Sequence, residues 1–269
     1  MIAKVIEKDT KLYGLLADSA STLAKARIVS EYFSKIDVDA AYIPMNIRED
    51  DIYFTIAGLK NSKINAINLG AEYAKGAIEQ MDSLSEEAKL CGFVDTIEIE
   101  NTKLHGKVTI GIALANIIKT KEFKKIIILG SGSFARSILM HIKNTNIEEI
   151  VLLHDRIESA MQMLEQMKEY IGDIKVDIDR YEKNVAYNAE SDALINATNL
   201  GKSVHDEFIT FSKYPKYLID TVSLPKKAIS YFEADGQNNC NYIGGDDLDK
   251  EMIKIDCESW FKNNNNEEI

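Results

Sequence analysis

Residues 125–136 read KIIILGSGSFAR, and this stretch constrains the chain more than any other. Four apolar residues, Ile126 to Leu129, run directly into Gly130, Ser131, Gly132, Ser133, Phe134 and Ala135, and a helical pattern follows. A buried parallel strand, a tight glycine turn and a helix N-terminus together make a site where backbone N–H groups hold a pyrophosphate. The spacing Gly-x-Gly-x-x-Ala is an accepted form of the dinucleotide fingerprint. A second apolar strand, residues 150–154, ends at Asp155, where a carboxylate can meet ribose hydroxyls, and Arg156 beside it would suit a 2′-phosphate or stack on adenine. NAD and NADP both remain open. The bland alternative is a strand–helix–strand unit whose glycines serve close packing alone.

Around this centre, apolar runs alternate with amphipathic segments. Strands are expected at Lys11–Ala17, 40–43, Ile64–Leu69, 174–178, 193–198 and Tyr217–Asp220, and a hairpin at 94–100 and 102–106. Helices are expected at 24–36, 51–59, 85–90, 111–118, 160–170 and 247–262, and the polar end 263–269 should fray. The fold class is α/β, with an N-terminal α/β substrate-type domain over residues 1–115 and a Rossmann-like dinucleotide-binding domain over 120–235. The C-terminal helix 247–262 is expected to pack back on the first domain. A small-molecule ligand would then sit in the interdomain cleft, outside the carboxyl ends of the strands.

Bulk properties remove several classes of function. The formal net charge of −11 argues against non-specific nucleic-acid binding. No apolar run reaches the roughly eighteen residues of a membrane span, and the N-terminus lacks a signal-peptide core. Cys91, Cys240 and Cys257 show no metal-like spacing and read as reduced thiols, which points to the cytoplasm. His105, His141, His154 and His205 are scattered and read as structural, so no metal is expected. A monomer or a homodimer is compatible with all of this.

The order and spacing of several further motifs resemble the shikimate dehydrogenase family over nearly the whole chain. Asp18-Ser19-Ala20-Ser21 is similar to the family's Ser-x-Ser substrate motif, and Tyr42-Ile43-Pro44 to its Tyr-x-Pro. Gly92-Phe93-Val94-Asp95-Thr96 resembles Gly-Ala-Val-Asn-Thr, and Leu104-His105-Gly106-Lys107-Val108-Thr109-Ile110 resembles Leu-x-Gly-x-Asn-Thr-Asp. Asn196-Ala197-Thr198-Asn199-Leu200-Gly201 is close to Asn-Ala-Thr-Pro-x-Gly, which implies that Thr198 and Asn199 stand beside the nicotinamide. The resemblance implies hydride transfer between a nicotinamide cofactor and a ring hydroxyl, assisted by a Lys–Asp pair that handles the hydroxyl proton.

That pair is missing here. The family lysine falls on Ala74, with Lys75 one residue along, and the family aspartate falls on Ile110. Asp95 replaces an asparagine, Ser223 stands at the tyrosine before Pro225, and the late glutamine falls on Glu251 or Met252. The substrate-binding candidates are therefore Ser19, Ser21, Asp95 and Thr109, and the candidate catalytic group is Lys75. The resemblance implies an NAD(P)-dependent oxidoreductase with an altered substrate pocket, not acting on shikimate. The alternatives are a catalytically inactive nucleotide- or ligand-binding protein of the same fold, and a true shikimate dehydrogenase using Lys75.

Overall fold

The computed structural model describes residues 6–20, 24–182, 185–203, 209–222 and 240–262. The chain divides into two compact units, residues 1–109 with 249–269, and residues 110–248.

The first unit is built on a six-stranded mixed sheet. In chain order it contains β1 (Lys11–Ala17), α1 (Lys25–Lys35), β2 (Ala40–Asn46), α2 (Ile52–Leu59), β3 (Ile64–Leu69), β4 (Ser83–Leu84), α3 (Glu86–Cys91), β5 (Thr96–Glu100) and β6 (Lys103–Lys107). The strand order is β2-β1-β3-β5-β6-β4. The pairs β2–β1, β1–β3 and β6–β4 are parallel, while β3–β5 and β5–β6 are antiparallel. The near-continuous apolar run of β1 suits its place between two parallel neighbours, buried on both faces. Pro44 does not end β2, as the sequence led us to expect: the strand continues to Asn46. Because β2 is an edge strand, the missing proline N–H leaves the ladder intact. Ser85 accepts a hydrogen bond from the Ala88 N–H and so caps α3, which closes at Gly92 in the left-handed conformation.

The second unit contains α4 (Ile110–Thr120), β7 (Lys125–Leu129), α5 (Ser133–His141), β8 (Glu149–His154), α6 (Ile157–Ile171), β9 (Lys175–Arg180), β10 (Tyr187–Asn188), β11 (Ala193–Asn196), β12 (Phe211–Lys213), β13 (Tyr217–Asp220) and β14 (Asn241–Ile243). Its six-stranded sheet has the order β14-β13-β11-β7-β8-β9, parallel throughout. This is the doubly wound arrangement: the chain steps from β7 to β8 and β9, then crosses back to β11 on the other side of β7. The interiors of β7, β8 and β11 are almost purely apolar, as strands covered on both faces must be. The pair β10–β12 forms a separate two-stranded sheet, too short to show a period in the sequence.

The last helix, α7 (Gly245–Lys262), supplies residues to the first unit from the far end of the chain. Ile253, Cys257 and Trp260 join a core with Tyr13, Leu15, Val29 and Phe33. Trp260 stacks on Tyr13 with centroids 4.5 Å apart. A buried ion pair, Lys25 Nζ to Asp249 Oδ1 at 2.9 Å, ties the same helix to α1.

Candidate functional site

A cavity of about 350 Å³ opens at the carboxyl ends of the parallel strands of the second unit. It is lined by Leu129 and Gly130 at the end of β7, Leu153 to Arg156 at the end of β8, Tyr181 after β9 and Thr198 to Leu200 after β11. The strand order reverses between β7 and β11, and ligands of open α/β sheets bind at such a switch point. Gly130 has φ +102°, and a Cβ there would stand 2.7 Å from Thr198 Cγ2. Glycine is thus required both by the backbone and by the close approach of the Thr198 turn. Gly132 is the N-cap of α5, and a Cβ there would meet nothing within 4 Å. Ser133, Phe134 and Ala135 form the first turn of α5, whose N–H groups the helix's own carbonyls do not reach. Backbone donors, a helix N-terminus and an uncluttered approach fit a pyrophosphate.

Asp155 and Arg156 are exposed at the end of β8. His154, expected to be structural, also lines this cavity. Its Nδ1 lies 2.7 Å from Asp155 Oδ1 and 2.8 Å from the Arg156 backbone nitrogen. One ring nitrogen serves only one of these at a time, donating to the carboxylate or accepting from the N–H. Tyr181 is half-buried, and its hydroxyl pKa is raised by burial and by the charge of Asp155. Sequence reasoning missed Tyr181, although it follows the third parallel strand at the edge where such ligands bind.

A second polar cluster lies in the first unit and is almost wholly buried. Tyr42 donates to Asn68 Oδ1 at 2.8 Å. The Asn68 amide donates to Thr96 Oγ1 at 3.0 Å and to Asp256 Oδ2 at 2.8 Å. Thr109 Oγ1 donates to Asp256 Oδ1 at 2.9 Å, and the Thr109 N–H donates to both oxygens of Asp95, at 2.8 and 3.0 Å. Burial, and after it the charge of Asp95, pushes the Asp256 carboxyl up to about 7. A carboxyl of that affinity gives or takes a proton near neutral pH, with Thr109 and Asn68 in hydrogen-bond contact. Asp256 was not singled out from the sequence. Its signal was present: it lies four residues from both Met252 and Trp260, on the buried face of α7.

No family model matches the chain. A shikimate dehydrogenase (NADP(+)) of Streptococcus pneumoniae is 31% identical over 199 residues, covering 71% of this chain and 70% of that protein. This chain belongs to the shikimate dehydrogenase family. The crystal structure of a Listeria monocytogenes shikimate 5-dehydrogenase in complex with shikimate and NAD matches with TM-score 0.74 at 20% identity, over 97% of this chain and 95% of that one. A 5-ketofructose reductase of Gluconobacter matches with TM-score 0.75 at 18% identity, over 95% and 94% of the two chains. At such identities these two likenesses speak for the fold.

The residues that the sequence set at the family's site positions are placed as follows. Ala74, set at the family lysine, is buried, and its carbonyl accepts from the Val94 N–H at 2.9 Å. Lys75 is exposed, as one step along a turning backbone dictates. Ile110, set at the family aspartate, is a buried apolar residue. Asp95 and Thr109 come together, with Asp95 directed at the Thr109 N–H. Ser19 is exposed, with its hydroxyl 3.4 Å from Asp18 Oδ2. Ser21, Ser223, Pro225 and His205 lie outside the described residues.

Proposed function

We propose that this protein is an NAD(P)-dependent oxidoreductase of shikimate dehydrogenase type with an altered substrate pocket, acting on a substrate other than shikimate. One observation carries the cofactor half of this reading: the cavity at the switch point, where Gly130, the first turn of α5 and the Thr198 turn converge. The backbone of residues 130–135 would hold the pyrophosphate, Asp155 and Arg156 would meet the adenosine ribose, and Thr198 and Asn199 would lie toward the nicotinamide. When bound, the nicotinamide supplies hydride acceptance or donation. Asp155 disfavours a 2′-phosphate by its charge, while Arg156 and the NADP(+) of the named relative favour one.

The substrate half rests on what stands at the family's proton-handling positions. A methyl group at Ala74 and a sec-butyl side chain at Ile110 neither orient nor accept a hydroxyl proton. Lys75, exposed on the next residue, does not stand in for the lysine. The same two positions favour a second reading, a nucleotide-binding protein of this fold without hydride chemistry.

Calorimetric titration of cofactor-stripped protein with NAD+, NADH, NADP+ and NADPH tests the first half. Micromolar binding of one form is expected, and no binding of any form overturns the oxidoreductase reading. Shikimate and quinate added to the saturated complex should produce no reduced cofactor. Turnover of shikimate at an ordinary rate, about 1 s⁻¹ or more, would contradict the altered pocket.

A further inference from the structure

Beneath the Thr198 turn lies a buried carboxylate that does not itself line the cavity. Asp220 ends β13, the strand beyond β11, and is 0% exposed. Its Oδ1 accepts from Asn196 Nδ2 at 3.1 Å and from the Val222 N–H at 3.0 Å, and Tyr242 of β14 approaches Oδ2 at 3.5 Å. Asn196 is equally buried and holds the turn together from below. Its Nδ2 also donates to the Leu200 carbonyl at 2.9 Å. Its Oδ1 accepts from the Thr198 N–H at 3.2 Å and from Thr198 Oγ1 at 2.6 Å, and Thr198 Oγ1 in turn accepts from the Leu200 N–H at 3.0 Å. Thr198 and Leu200 line the cavity.

The direction of this chain of bonds is set jointly by the Leu200 carbonyl and the Thr198 N–H within the turn and by Asp220 from below it. An ionised carboxylate accepts and never donates, so Asn196 must turn its NH₂ toward Asp220 and its carbonyl toward Thr198. The reverse amide orientation would set oxygen against oxygen at one end and donor against donor at the other.

We propose that Asp220 is a positioning residue of the dinucleotide cavity: its charge strengthens the hold on Asn196, and through Asn196 it tightens the Thr198 turn in the shape that lines the pocket. The pocket role rests on the dinucleotide reading above, whereas the hold on the turn stands on the geometry alone. Burial pushes Asp220 up to about 6, so the charge is present at neutral pH and lost in mildly acid solution. The groups facing it are Asn196 from β11, Val222 from its own turn, and Tyr242 from β14, with Asp247 of α7 acting on Tyr242. Protonation would place the new hydrogen on Oδ2 toward Tyr242, leaving Oδ1 a weaker, neutral acceptor for Asn196.

The variant D220N reproduces that neutral state. The Val222 N–H keeps the amide oxygen at the Oδ1 position, and the amide nitrogen faces the Tyr242 hydroxyl. Two readouts are compared for wild type and D220N between pH 5 and 8, with folding of both checked by circular dichroism. The first is hydrogen exchange of the Thr198 and Leu200 amides in cofactor-free protein, corrected for intrinsic pH dependence. The second is the Kd for NADP+ and NAD+ by calorimetry. At pH 8 the wild type should show about fivefold stronger protection and about fivefold tighter binding than D220N, with the two proteins converging below pH 6. Any other pH effect common to both proteins cancels in the ratio. A wild-type to D220N ratio that stays constant from pH 5 to 8 in both readouts overturns the proposal. If the amides respond as expected but neither protein binds a dinucleotide, the cofactor reading fails and the pocket role with it, while the hold of Asp220 on the turn stands.

Discussion

Asp256 and Asp95 crowd two carboxyl groups into one buried polar cluster, and this raises the proton affinity of Asp256. Asp256 has a proton affinity near 7 because burial opposes its charge and Asp95 adds to that opposition. Its folded-state pKa lies above the ordinary value of about 4, so the native state binds more protons than the unfolded chain between those limits. The stability it contributes is fully present below about pH 4 and is lost as pH rises through about 7. Replacing it as Asp256→Asn removes this loss. The urea midpoint of the variant, measured relative to wild type, should therefore rise from pH 5 to pH 8, at roughly 1 kcal/mol per pH unit where the wild-type group titrates. A difference that stays constant across the range would mean that Asp256 is ionised throughout. Lys75 offers the contrasting case. Being exposed, it should tolerate Lys75→Ala within about 0.5 kcal/mol and without change in dinucleotide Kd. A loss of turnover in that variant, on any substrate later found, would revive it as the catalytic lysine.

Elements were legible wherever their pattern was local. β1, β3 and β13 fall where the apolar runs placed them, because a strand covered on both faces needs little beyond those runs. Where tertiary context decides, the sequence misled: Pro44 reads as a strand end, yet it lies inside β2 because that strand is an edge. β14 passed unnoticed because three residues, Asn241 to Ile243, have no period to show. The glycine turn was legible because its chemistry is contiguous. The clusters around Asp256 and Asp220 were not, since each unites residues from separate elements that meet only in the folded unit. The α4–α5 contact gives an element-level test of a glycine outside the fingerprint. A Cβ on Gly111 would stand 2.3 Å from the Ser137 carbonyl oxygen, a backbone atom that does not step aside. Gly111→Ala should therefore destabilise the second unit by about 1–3 kcal/mol despite alanine's better helix propensity. Denaturant unfolding measures it, and a stabilised variant would show that the two helices separate at little cost.

At the scale of the whole molecule, the two units differ in how the chain closes them. The second unit is continuous, from 110 to 248, whereas the first needs residues 249–269 from the other end of the chain. Its core is incomplete until α7 arrives with Ile253, Cys257 and Trp260, and its polar cluster is incomplete until Asp256 arrives. Such non-local closure is a late and entropically costly contact, so the first unit should depend on α7 far more than the second does. Trp260→Ala separates them. It removes the stack on Tyr13 and a large buried surface, a loss of about 3–5 kcal/mol for an aromatic residue truncated in a core. Peptide-resolved hydrogen exchange should show that loss in β1, α1 and β2, while β7, β8 and β11 keep wild-type protection. Dinucleotide affinity, whose proposed site is a cavity lined by residues of the second unit, should change less than twofold. Equal loss of protection in both sheets would mean that the two units unfold as one cooperative body, and that the closing helix stabilises the nucleotide cavity as well as the first unit.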